Sequence, residues 1–163
     1  AEGYSGPSTY LWAPGTDLEL YATDTAEAAI NRYEYGMARI NPSVDNVTLY
    51  GLLPLQLERP YGRSYRLTHV TLYYKVGAPS FINSVEVQGR DFNTNTQLDA
   101  AVSDVDGNST AYAAYEIDVD PPFVINSVQT VTGLSIHSKS GTPNGQSGFI
   151  DIYGVRLTLQ SNY

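Results

Sequence analysis

The feature that most constrains this chain is a hydrophobic period of two that is broken about every ten residues by Gly, Pro, Asn or Asp. It is clearest in YRLTHVTLYYKV, residues 65–76. Val70, Leu72, Tyr74 and Val76 share one face there, and His69, Thr71, Tyr73 and Lys75 share the other. In an extended chain successive side chains point to opposite faces, so the first set is expected to go to a core. The second set faces solvent or a partner. The same reading places strands at 17–22, 32–40, 46–51, 53–58, 82–92, 97–103, 110–119, 123–138 and 149–159. Pro54 sits early in its run and suggests an edge or a strand start. One short segment, Asp24 to Ile30, has helical character with Asp24 as N-cap, but it is too short to be stable in isolation.

About ten short strands with regular turn signals predict an all-β fold, an antiparallel β-sandwich of the jelly-roll kind. The 163 residues suit one domain. Within it, residues 1–16 stand apart: AEGYSGPSTYLWAPGT has no period, yet it holds the single Trp and two Tyr. Large aromatics in a terminal segment need a surface to cover. The division expected is an extended N-terminal arm, 1–16, and a sandwich domain, 17–163. Tyr4, Tyr10 and Trp12 would anchor the arm on a neighbouring copy, and outward-facing Tyr73 would join that interface. The alternative is that the arm folds back along its own sandwich.

Seventeen acidic against nine basic residues leave a net charge of −8, which argues against nucleic acid and against anionic membrane surfaces. No window is long and apolar enough to insert in a membrane as a helix. Zero Cys excludes disulfides, thiolate metal sites and Cys nucleophiles. The first residue is Ala, which fits an expectation of a processed, secreted chain. The two histidines, His69 and His137, fall on outward strand faces, and no G-x-S-x-G is present. A nucleophilic active site has little to work with, and a non-enzymatic role is expected.

Acidic residues raise the question of calcium. Asp104, Asp106 and Asn108 have the spacing of the first half of an EF-type loop, but Tyr115 stands where the bidentate Glu belongs. Asp106-Gly107 also reads as the centre of a hairpin turn. Asp151, within FIDIYGVRLTL, falls on the face of Phe149, Tyr153, Val155, Leu157 and Leu159. A carboxylate there must be ion-paired, hydrogen-bonded, metal-bound or solvated beyond the core edge. Asn46 and Asn108 head glycosylation sequons, informative only in a host that glycosylates secreted proteins.

An acidic pair on an early strand, Asp17 and Glu19 in DLEL, with Asp151 on the closing strand, resembles the layout of secreted jelly-roll carbohydrate-binding modules. That resemblance implies a structural calcium held by Asp17, Glu19 and Asp151. The stretch LLPLQLERPYGRSYRLTHVTLYY and the closing YGVRL also resemble bacterial extracellular jelly-roll domains, in style over 46–159. Fourteen Tyr suit broad contact surfaces. The function expected first is an extracellular subunit that polymerises with copies of itself into a filament, tube or surface layer. The alternatives are a secreted module that binds polysaccharide and a viral coat or tail jelly roll.

Overall fold

The computed structural model describes residues 7–20, 28–43, 48–55, 64–140 and 148–161, and for 99–106 the backbone alone. The strands are β1 (Ser8–Pro14), β2 (Glu19–Leu20), β3 (Ala28–Arg32), β4 (Ala38–Pro42), β5 (Thr48–Pro54) and β6 (Tyr65–Val76). They continue as β7 (Phe81–Asp91), β8 (Thr96–Gly107), β9 (Ala113–Ile125), β10 (Gln129–Lys139) and β11 (Ile150–Ser161). A six-stranded sheet runs β3-β4-β11-β6-β9, with β1 also on β11, and a five-stranded sheet runs β2-β5-β10-β7-β8. All pairings are antiparallel. This is the jelly-roll sandwich expected from the alternation.

The core lies between the sheets. Val70, Leu72, Tyr74 and Val76 of β6 are buried there as the alternation requires, with Ile150, Ile152, Val155 and Leu157 of β11 beside them. Leu49, Leu53, Val85, Val87, Leu134 and Ile136 meet them from the smaller sheet. One edge of β11 is shared: β4 pairs with residues 150–152 and β1 with 154–160. Between them Gly15 packs so closely that a Cβ would run into the Ile152 carbonyl oxygen, so only glycine fits.

Several local expectations are corrected. Residues 32–40 are not one strand. Tyr33–Met37 form a tight turn closed by a bond from Tyr33 N to Met37 O, with Tyr35 at φ 68 and Gly36 at φ 89. Residues 48–54 are one strand where two were expected, and Pro54 ends it. Residues 123–138 split at an Asn126 turn, whose Oδ1 accepts from the backbone N–H of Val128 and Gln129. Of the helical candidate, Ala28–Ile30 are strand and 24–27 lie outside the described residues.

Asp106-Gly107 is not a hairpin tip. β8 runs through both residues, pairs with β7 in the smaller sheet, and hands over through 108–112 to β9 in the larger one. Gly107 lies opposite Ile82, where a Cβ would come within 2.7 Å of the Ile82 Cβ. The glycine is there for close approach, not for a turn.

Residues 8–14 also depart from the preferred reading of the arm. They add a strand to their own sheet, from Ser8 opposite Gln160 to Pro14 opposite Gly154. Residues 1–6, with Tyr4, lie outside the described residues.

Candidate functional site

The outer face of the larger sheet gathers most of the chain's chemistry. Trp12, Arg156, Thr71 and Glu116 lie opposite one another on β1, β11, β6 and β9. The next row on one side is Pro14, Gly154, Tyr73 and Ala114. On the other side it is Tyr10, Thr158, His69 and Asp118. Side chains two apart along a strand repeat about every 7 Å, so these rows form an ordered grid. The grid faces outward because the intervening residues, Leu11, Ala13, Val155, Leu157, Val70, Leu72, Tyr115 and Ile117, pack on the core.

Two bulges set which residues reach this face. β11 carries an extra residue, Tyr153, between Ile152 and Gly154 in its pairing with β6. The bulge reverses the inward parity: Ile150 and Ile152 point in before it, and Val155, Leu157 and Leu159 after it. Asp151 therefore lies on the outer side, not on the apolar face expected. On β6, Thr68 is the extra residue, and it turns His69 outward two positions after buried Leu67.

At one end of the grid the aromatics converge. Trp12 stacks on Tyr73 with ring centroids 5.9 Å apart and planes 27° from parallel, and Tyr73 stacks on Tyr112 at 6.2 Å and 19°. Tyr153 meets Tyr112 edge-on at 4.8 Å. With Ala13, Pro14 and Gly154 these four rings line an open depression of about 380 Å³. Trp12 is 64% and Tyr112 59% exposed. A chain gains nothing in folding from leaving two large rings in water on either side of Tyr73, so the patch points to an interaction surface. Tyr112 is held by the 108–112 crossover, which is tied to β6 through Val76 N to Ser109 O, 2.9 Å, and braced by Ser109 Oγ donating to Ala111 O.

Polar groups flank the rings. The Arg156 guanidinium sits 4.9 Å from the Tyr10 ring centroid and 5.5 Å from that of Trp12, with Glu116 3.9 Å from its Nη2. This cation stiffens the strand-borne aromatics through their electron-rich faces. Beyond it lies a second groove of about 370 Å³, lined by Ser8, Tyr10, Thr68, His69, Glu116, Arg156, Thr158 and Gln160. Burial pushes the Tyr153 hydroxyl above the usual tyrosine range, and the nearby Asp151 charge adds to the shift.

Asp151 itself is fully buried and holds Arg39 in a two-pronged pair, Nε to Oδ1 at 2.7 Å and Nη2 to Oδ2 at 2.9 Å. The Asp151 bond, more than any other influence, raises the Arg39 pKa. Arg39 also lies 4.0 Å from the Phe149 ring centroid. Of the roles open to Asp151 from sequence, the structure shows the ion pair. Asp17 and Glu19 are exposed and line a separate depression with Trp12 and Arg32, and they do not join Asp151 in a ligand cluster among the described residues. The side chains of Asp104 and Asp106 lie outside the description, as does all of Asn46, and Asn108 is exposed.

Tyr10, Trp12 and Tyr73, expected at a subunit interface, thus meet on one face of their own sandwich. Sequence reasoning missed Tyr112 and assigned Tyr153 to the core. A Tyr at the end of a crossover carries no periodic signal, and a bulge leaves none in the alternation.

No family model and no curated protein sequence matches the chain. Solved structures do. A xylan-binding module, CBM15, aligns over 94% of this chain and 97% of its own with a TM-score of 0.50 at 9% identity. The fold resembles that of carbohydrate-binding modules. A family 29 carbohydrate-binding module from Piromyces equi aligns over 96% of this chain and 91% of its own, with a TM-score of 0.49 and 12% identity. A family 11 module from Clostridium thermocellum, in complex with a β-1,3-1,4-mixed-linked tetrasaccharide, covers 96% and 92% with a TM-score of 0.46 and 10% identity. No helix among the described residues is long and apolar enough to cross a membrane.

Proposed function

We propose that this protein is a non-catalytic module that binds extracellular polysaccharide on the outer face of its larger sheet. The observation that carries the reading is the run of Trp12, Tyr73, Tyr112 and Tyr153 around one open depression. A pyranose ring has flat faces of C–H groups with slight positive charge, and these rest on the electron-rich face of an aromatic ring. Its hydroxyls project around the rim, and the next row of the grid offers them the Arg156 donors and the Glu116 carboxylate. The grid continues from the aromatic end past Arg156 to the second groove, so an extended chain of sugars has contacts along the strand direction. A preformed face on paired strands also lowers the entropy lost on binding.

The self-assembling subunit expected first from the sequence relied on residues 1–16 reaching a neighbour. The backbone of 8–14 bonds instead to β11 of the same chain. The affinity-gel and calorimetric test uses soluble xylan, mixed-linked β-glucan and hydroxyethyl cellulose. Retarded migration on one of these is expected, with Trp12→Ala and Tyr112→Ala each weakening binding about thirtyfold or more, the scale of a central aromatic anchor. Both side chains are exposed, so both variants should fold. Binding that is unchanged in both variants, or wild-type protein that binds none of the glycans and sediments as polymers, would overturn the reading.

A further inference from the structure

We propose that His69, Glu116 and Asp118 form a binding site for a divalent transition-metal ion, with zinc the best fit. The inference is argued from the donor geometry and does not require polysaccharide to bind, although His69 and Glu116 line the second groove. His69 on β6 lies opposite Asp118 on β9, and Glu116 is two residues before Asp118 on the same outer face. One donor atom from each lies within 4.8 Å of the other two. Four-coordinate zinc with bonds of about 2.0–2.1 Å needs donors about 3.3 Å apart. His69 Nε2 and Asp118 Oδ1 are already 3.1 Å apart, and the exposed Glu116 side chain can close the rest by rotation. Among the described residues this is the one such group of three.

The hydrogen bonds around the imidazole suit the tautomer a metal ligand needs. The Thr68 hydroxyl is placed to donate its one proton to the Thr158 carbonyl, 3.2 Å away. Its oxygen is then an acceptor for His69 Nδ1–H, at 3.0 Å. That leaves the Nε2 lone pair aimed at a carboxylate oxygen 3.1 Å away. Two acceptors at that distance repel unless a positive ion lies between them, either a proton on Nε2 or a metal. Histidine ligands are commonly oriented by such a bond from the other ring nitrogen. Thr68 occupies that position only because it is the bulged residue of β6.

The donor set selects the ion. One imidazole nitrogen with two carboxylates suits zinc and its neighbours in the first transition series, whereas calcium requires six to eight oxygens. Three protein ligands leave zinc an open position, and the second groove is where it would face.

The full-length chain should be titrated with zinc chloride by calorimetry at neutral pH, and with cobalt(II) followed by visible absorption. One equivalent of zinc and a cobalt band of low coordination number are expected. His69→Ala should abolish both. Asp118→Asn, at a largely exposed side chain, should keep the fold and weaken zinc about tenfold or more. Thr68→Val removes no ligand, yet it should weaken zinc by about tenfold through loss of the orienting bond. His137→Ala should leave binding intact. Equal zinc binding by wild type and His69→Ala, loss in His137→Ala instead, or no wild-type binding below millimolar zinc would reduce the cluster to a surface ion pair.

Discussion

Replacing Arg39 with leucine should be among the more destabilising substitutions on the outer face of the larger sheet. Asp151 is fully buried, and both its oxygens bond to Arg39. Arg39→Leu leaves that carboxylate charged, desolvated and without its partner. Breaking a buried pair from one side costs about 3–5 kcal/mol. The Arg39 side chain is 30% exposed, so water can reach the vacated space, and the lower end, about 3 kcal/mol, is expected. Loss of the cation over Phe149, 4.0 Å away, adds about 0.5–1 kcal/mol. At about 2–4 °C per kcal/mol for a domain of this size, the Tm should fall by about 7–16 °C.

Urea denaturation of four proteins decides the matter: wild type, Arg39→Leu, Asp151→Leu and the double variant. The double variant should recover most of the loss, because two packed apolar side chains strand no charge. A loss under 1 kcal/mol in Arg39→Leu, or a double variant no better than the single, would refute the reasoning.

Tyr35 is fully exposed and has φ 68, a conformation that disfavours bulky side chains. Tyr35→Asn should raise stability by up to about 1 kcal/mol in urea melts, since asparagine tolerates this region and no packing is lost. Tyr153 holds its proton more tightly in the folded chain than in the unfolded one. Above pH about 10, the unfolded state releases that proton first, so stability falls as pH rises through the window up to the folded value. Tyr153→Phe should flatten this alkaline loss, and ultraviolet titration of the wild type should show a tyrosine ionising late.

Much of the fold is legible in the sequence. β6 runs over the residues that the alternation assigned to it, and its inward set is buried. The readings that failed are local ones: parity and turn chemistry are read from a few residues, and a bulge, a turn or a partner strand overrides them. Asp151 was placed on the wrong face because the Tyr153 bulge lies two residues on. Residues 32–40 keep their alternation across a turn, and its one signal is Gly36. Asp106-Gly107 had hairpin chemistry, but its glycine answers to Ile82 on another strand.

The linear order of residues therefore carried the class of fold, the composition of the core strands and the supply of exposed aromatics, because these depend on side-chain polarity repeated at short range. It did not carry which aromatics meet. Trp12, Tyr73, Tyr112 and Tyr153 come from four separate segments, and only the pairing of β1 with β11 and of β11 with β6, with the tie of the 108–112 crossover to β6, brings them to one depression. His69 likewise meets Glu116 and Asp118 only through the register of β6 on β9. Register follows from the total burial of two sheets, summed over contacts far apart in the chain, and no short window of sequence contains that sum.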